Sequence, residues 1–320
     1  MKLFRSFSFI VISALLLSAC GATTPAASQR PPLKVAWLVF PGYYPLLIAQ
    51  ERGLFEKYGI QVEMLQKGTT PAEMIAIAEH EADCALVVFT DVVPVAERND
   101  LRIVTIVDTT HGGDQLLASE SIPTVADLKG KRIGSQFGSY SELFIREILK
   151  KNGLGVSDVT LVDVPPESLI EELGKTVDAG HTYEPFASQG HSLGYQTIAS
   201  TADVPNLIFD VVVCRGEVVQ ERPEDIRAFN AAWFEGLEWW QANLSEGNTL
   251  IAKMTDQKPE EISSEGIKLY DLEDNLYSFD AKNSDSIFTA AQKTVDFYLL
   301  KGSLSLTPDL NKLLDPAYLK

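Results

Sequence analysis

Residues 75–87 read IAIAEHEADCALV, and residues 170–182 read IEELGKTVDAGHT. Both begin with apolar residues at helical spacing, pass a polar turn, reach an aspartate, and end in a strand-like apolar run. One helix–turn–Asp–strand step used twice suggests two similar units in one chain. Outward from the first copy, 33–40 reads as a buried strand, 44–57 as a helix ending near Gly59, and 60–65 as an alternating strand. The span 71–80 is helical with Pro71 in its first turn. A strand over 83–89, a helix over 91–98 and a strand over 101–108 follow. Around the second copy, 132–135, 159–164, 178–182 and 195–199 read as strands, with helices from Ser139 to about Lys151, over 167–173 and from near Pro185. Strands alternating with helices imply an α/β class with parallel pairing. The run LIFDVVVC (207–214) is a further strand. Helices are expected over 223–242, 246–255, 259–270 and 284–300, then a weakly structured tail. Their aromatics Trp233, Phe234, Trp239 and Trp240 are expected in the core.

Composition narrows the classes. The chain has 320 residues, is 45% hydrophobic and carries a formal charge of -17. Such a surface repels phosphate backbones, which argues against nucleic-acid binding. The N-terminus carries Lys2 and Arg5, a short apolar run FSFIVISALLL (7–17), then Leu17-Ser18-Ala19-Cys20. The run is short of the roughly 20 apolar residues a spanning helix needs. The layout resembles a bacterial lipoprotein signal peptide cleaved before Cys20, which would be lipidated. An ordinary secretion signal with an incidental cysteine is the alternative. Removing Lys2 and Arg5 from -17, with no acid lost, leaves -19. The stretch GATTPAASQRPP (21–32) reads as a tether. Residues 1–19 are thus expected to be a signal and 20–32 a lipidated tether. The product would be held in the cell envelope on the outer face of a membrane. Cys84 and Cys214 sit in apolar runs and are expected to be buried small hydrophobes. A disulfide between them is left open by the compartment.

Five segments in order carry a family resemblance: WLVFPGYYPLLIAQERGLFEKYGIQVE (37–63), EADCALV (81–87), DLKGKRIGSQFGS (127–139), VDAGHTYEPF (177–186) and ERPEDIRAF (221–229). Together they resemble the nitrate, sulfonate, taurine and thiamine-precursor group of ABC-transporter substrate-binding proteins, the SsuA/THI5-like family. The resemblance implies a type II periplasmic-binding-protein fold. Two α/β lobes would close on a small ligand, joined by a hinge of two crossovers, with a helical C-terminal region. It places one lobe at 33–116 plus 208–320 and the other at 117–207. It implies an ABC permease as partner, action as a monomer, no cofactor and no metal.

In open α/β sheets, ligands bind beyond the carboxyl ends of strands. The loops there nominate Trp37, Tyr43, Tyr44, Thr69, Thr90, Asp91, Asp114, Ser139, Tyr140, Tyr183, Glu184 and Asp210 as ligand contacts. Several have structural alternatives. Ser139 and Glu142 fit a capping box, Thr90 or Asp91 would cap a helix, and Asp114 and Asp210 would bridge the lobes. The loops hold four acids (Asp91, Asp114, Glu184 and Asp210) and no Lys or Arg, with many aromatics. Rings stack on aromatic side chains, and carboxylates accept from N–H and O–H donors. The expected cargo is a neutral or cationic heteroaromatic, riboflavin first and a thiamine-precursor pyrimidine second. Sulfonate, taurine or nitrate-type anions are the alternative. An enzyme related to the pyrimidine synthases of this fold is disfavoured by the secretion signal and by the lack of a cysteine cluster. There is no H-E-x-x-H, G-x-S-x-G or P-loop, and His181 with Glu184 is a weak metal pair.

Overall fold

A computed structural model describes residues 30–320. The signal segment, Cys20 and nearly all of the tether fall outside them. The first unit runs β1 (Leu33–Trp37), α1 (Tyr44–Glu51), α2 (Leu54–Lys57), β2 (Val62–Gln66), α3 (Thr70–Ala78), β3 (Cys84–Val88), α4 (Phe89–Ala96) and β4 (Leu101–Thr110). The second runs β5 (Asp114–Ala118), β6 (Arg132–Ser135), α5 (Tyr140–Lys151), β7 (Thr160–Asp163), α6 (Leu169–Glu172), β8 (Ala179–Tyr183), α7 (Phe186–Ser192) and β9 (Gln196–Ser200). The chain returns through β10 (Phe209–Arg215), α8 (Gly216–Glu221), α9 (Pro223–Ala242), α10 (Leu244–Thr255), β11 (Ile267–Leu269), α11 (Leu272–Ser278), α12 (Ile287–Lys301) and α13 (Leu310–Leu313).

Two sheets form, in the orders β11-β4-β10-β3-β1-β2 and β7-β6-β8-β5-β9. The repeated aspartate has the same role in each. Asp83 accepts from the Lys34 N–H at 3.0 Å, and Asp178 accepts from the Arg132 N–H at 2.9 Å. Each thus ties the turn before its strand to the neighbouring parallel strand. Each also pairs with an arginine at 2.7 Å, Arg215 and Arg132 respectively.

β5 pairs with β8 and β9, so Asp114 already belongs to the second sheet. The first crossover therefore lies just before Asp114, ahead of the expected boundary at 117. Cys84 and Cys214 face each other on β3 and β10 and form a disulfide. This corrects their reading as free buried hydrophobes, since adjacent antiparallel positions bring the two sulfurs into reach.

Phe55 stacks on Phe229 at 5.6 Å beside Trp233, and Trp233 and Trp240 are fully buried. Trp239 lies under the Arg52 guanidinium. The expected helix 44–57 breaks at Gly53, whose φ of +65° ends α1 and starts α2. No α-helix forms over 259–270, only a single 3-10 turn at Pro259–Glu261. Ser263, Ser264 and Gly266 (φ +79°) interrupt it, and β11 instead adds to the free edge of β4. Beyond that short strand, Asn275 on α11 satisfies the edge. It accepts from the Ile106 N–H at 2.7 Å and donates to the Ile106 carbonyl at 2.9 Å. No described helix is long and apolar enough to cross a membrane.

Candidate functional site

The carboxyl ends of β1, β2, β3 and β4 and the start of β10 share one edge of the first sheet. The start of β5 and the end of β8 share one edge of the second, with Asp114 opposite Tyr183. Residues of both edges line a narrow cavity. The first sheet's side contributes Leu38, Phe40, Tyr43, Thr70, Val88, Thr110, Ile208 and Asp210, and the second contributes Asp114, Tyr140 and Tyr183. Among the described residues, no lysine or arginine lines it.

Tyr43 sits in the turn after β1 and donates its O–H to Asp210 Oδ1 at 2.5 Å, fully buried. Asp210 lies directly across the β4–β10 ladder from Asp108. Burial pushes Asp210 up to about 7, the Tyr43 hydrogen bond works against this, and the Asp114 charge adds to it. Burial and the Asp210 charge hold Asp108 well above the usual carboxylate range. Both Asp108 oxygens are buried, and the polar group within reach of them is the Asp210 carboxyl. The Asp108 carboxyl packs against Gly42, where an added Cβ would meet Oδ2 at 1.8 Å. A side chain at position 42 would therefore displace the acid pair, which goes beyond a simple turn requirement.

On the second side, Asp114 Oδ1 meets His181 Nε2 at 2.8 Å, both buried. The His181 ring lies edge-on to Tyr140. The Tyr183 O–H donates to Glu167 at 2.7 Å. Burial raises the Tyr140 and Tyr183 hydroxyls, so both stay neutral donors.

Asp91, in the first turn of α4, links the two sides. Burial raises it to about 7, opposed by the backbone N–H of Tyr140 at the start of α5. A helix N-terminus is a ready anion site, and here the chain's own carboxyl lies beside it. A second tie runs from α12. The Tyr298 O–H donates to the Gly138 carbonyl at 2.8 Å, and Lys301 pairs with Glu142.

Five of the nominated residues, Tyr43, Asp114, Tyr140, Tyr183 and Asp210, line the cavity together, and Asp91 adjoins it through Tyr140. The other nominees lie elsewhere. Trp37 is buried in the core of the first unit. Tyr44 points to the opposite face of the turn, donating to Gln257 and lying edge-on to Trp240. Thr69 caps α3, accepting from the Ala72 N–H, and Thr70 lines the cavity in its place. Thr90 is buried in the first turn of α4, which begins two residues earlier than expected. Ser139 caps α5 by accepting from the Ser141 N–H. Glu142 accepts from the Gly138 N–H and pairs with Arg146. Glu184 accepts from the Ser188 N–H and the Gln115 amide, both within the second unit. Sequence reasoning missed Glu73 and Asp108, buried acids that neighbour cavity-lining residues. The signal for Glu73 was an acid on the helical stripe Thr70, Glu73, Ile77. For Asp108 it was an acid at the end of an apolar strand.

Two α/β units joined by two crossovers, with a small cavity between the carboxyl edges of their sheets, define a protein of the periplasmic-binding-protein fold. Residues 41–246 match the model described as NMT1/THI5 like, and the chain belongs to that family. It is 25% identical over 246 residues to a Brucella abortus protein named "Putative binding protein BAB2_1146", covering 75% of this chain and 76% of that one. It is 23% identical to the "Putative aliphatic sulfonates-binding protein" of Bacillus subtilis, over 97% of this chain and 94% of that one. A Schizosaccharomyces pombe 4-amino-5-hydroxymethyl-2-methylpyrimidine phosphate synthase matches 39% of this chain and 37% of its own length, at 28% identity. Among solved structures, the periplasmic aliphatic sulphonate binding protein SsuA of Escherichia coli superposes with a TM-score of 0.74. That likeness covers 89% of this chain and 92% of SsuA at 17% identity, and shows the fold.

Proposed function

We propose that the chain is the substrate-binding component of an ABC-type importer. It captures one small solute between its two units and presents the closed form to a membrane permease. The observation that carries the reading is the cavity itself. It lies between two sheet edges on separate units, so occupancy and closure are coupled. Cys20 and the tether would hold the clamp near the permease and raise its effective concentration there. No chemistry is assigned to the chain. Both described cysteines are in the disulfide, and no described group of three or more His, Cys, Asp or Glu could hold a metal.

For the cargo, a single-ring, donor-bearing heterocycle of the aminopyrimidine class suits the lining. Phe40, Tyr140 and Tyr183 offer ring faces, and Asp114 and Asp210 offer acceptors. The synthase relative acts on that chemistry by name. Riboflavin, first on loop composition, gains no support from the names of these relatives. It is dropped. A sulfonate is the second reading, favoured by the names of the Bacillus subtilis and Escherichia coli relatives. The lining opposes it, with acids and no cation among the residues that form it. A thermal-shift and fluorescence titration of residues 30–320 against 4-aminopyrimidines, taurine and an alkanesulfonate separates the two. A saturable response to the heterocycle alone supports the first reading. A response to the sulfonates alone replaces it with the second, and silence across a broad solute library defeats both.

A further inference from the structure

We infer that Glu73 is the charge partner of the cargo, and that the cleft takes an organic cation presenting two adjacent N–H donors, of the amidinium, guanidinium or protonated aminopyrimidine class. This rests on reading the cleft as the ligand site. Glu73 lies on α3 one turn beyond the cavity-lining Thr70. Its side chain is 0% exposed, and neither carboxyl oxygen has a hydrogen-bond partner. Its carboxyl lies close enough to Tyr43 and Tyr183, which line the cleft from its two sides, for its charge to raise both phenols.

The groups that face it are acids or phenols: Asp210 from β10 and Asp91 from α4, with the two tyrosines. Cations on nearby elements are engaged elsewhere. Lys67 holds Glu81, Arg146 and Lys301 hold Glu142, and Arg215 holds Asp83. An ionised carboxylate buried without partners is costly. A neutral acid here also leaves an O–H donor and an acceptor unused. A ligand carrying positive charge and a planar pair of N–H groups resolves both faults, because a carboxylate accepts such a fork at its two oxygens. The same arrangement repels an anion and gives a neutral amide only part of the gain.

The test uses isosteric probes, benzamidine and benzamide, with taurine as the anion. Each is titrated calorimetrically into wild type, Glu73→Gln and Asp210→Asn, with circular dichroism to verify folding. Benzamidine should bind wild type at least about tenfold more tightly than benzamide, the scale of one charged hydrogen bond. Glu73→Gln should remove that preference and leave benzamide within about twofold. Equal binding of the two probes to wild type overturns the inference but leaves the cleft reading standing. So does a benzamidine preference that survives Glu73→Gln and disappears in Asp210→Asn. If no probe binds and no solute in a wider library does, the cleft reading itself falls.

Discussion

Replacing Tyr43 with Phe removes one oxygen and leaves the ring in place. The lost group is the O–H that donates to buried Asp210 at 2.5 Å. Burial and the neighbouring acids keep Tyr43 itself neutral, so it donates at every working pH. Asp210 changes charge near pH 7. Near pH 8.5 the variant loses a hydrogen bond to a charged acceptor, about 1.5–3 kcal/mol. Near pH 5.5 the carboxyl is protonated and the loss falls to about 0.5–1.5 kcal/mol. The destabilisation should therefore be larger by about 1 kcal/mol at the higher pH. Because Asp108 faces Asp210 across the ladder, the change should follow the titration of the pair and not of one acid. Urea unfolding of wild type and variant at both pH values reads it directly. Equal losses at both, or a larger loss at pH 5.5, would refute the assignment of Asp210 as the group that changes charge.

Converting Cys84 and Cys214 to Ser opens a loop with a sequence separation of 130. The chain-entropy model gives up to about 5 kcal/mol, so an unchanged urea midpoint would show the bond contributes nothing. Stability should fall as pH rises from about 4 toward 7, because Asp91 and Asp210 bind protons more tightly folded than unfolded. Glu142 and Asp178 have the opposite sign. Burial alone would raise both. For Glu142 the Lys301 bond, the Gly138 N–H and Arg146 outweigh it, and for Asp178 the leading cause is Arg132. Their contribution is lost as pH drops through their lowered values. The melting temperature should thus peak near pH 4, and a steady rise to pH 8 would contradict this. Lys301→Ala leaves Glu142 with Arg146 and the Gly138 N–H but cuts a tie from α12 to α5. A loss of about 1 kcal/mol and a roughly fivefold weaker ligand affinity are expected, and unchanged affinity would remove α12 from the closure mechanism.

The fold was legible because its repeated step is local. The helix, the turn aspartate and the strand occur within 13 residues of each other in both copies, and the aspartate bonds the neighbouring parallel strand in both. The cleft was legible in part. Strand ends identify the edge, which brought Tyr43, Asp114, Tyr140, Tyr183 and Asp210 together. Which neighbour faces inward depends on the turn's dihedrals, and Tyr43 against Tyr44 and Thr70 against Thr69 were decided there. Ser139 and Thr69 went to helix caps, whose local hydrogen bonds compete with any ligand role. Glu73 escaped because it comes from a helix interior and not from a loop. The Cys84–Cys214 pairing and the edge strand β11 depend on strand order, which has no local signature.

Proton exchange on ligand binding bears most directly on the claim of an acidic cleft selective for cationic donors. With any saturating ligand at pH 7, calorimetry in buffers of differing ionisation enthalpy counts the protons moved. Carboxyls that titrate near 7 should give up their protons to pair with a donor-bearing cation, releasing between about half and one proton per ligand. Uptake of protons on binding, the signature of an anion that must neutralise those carboxyls, would contradict it.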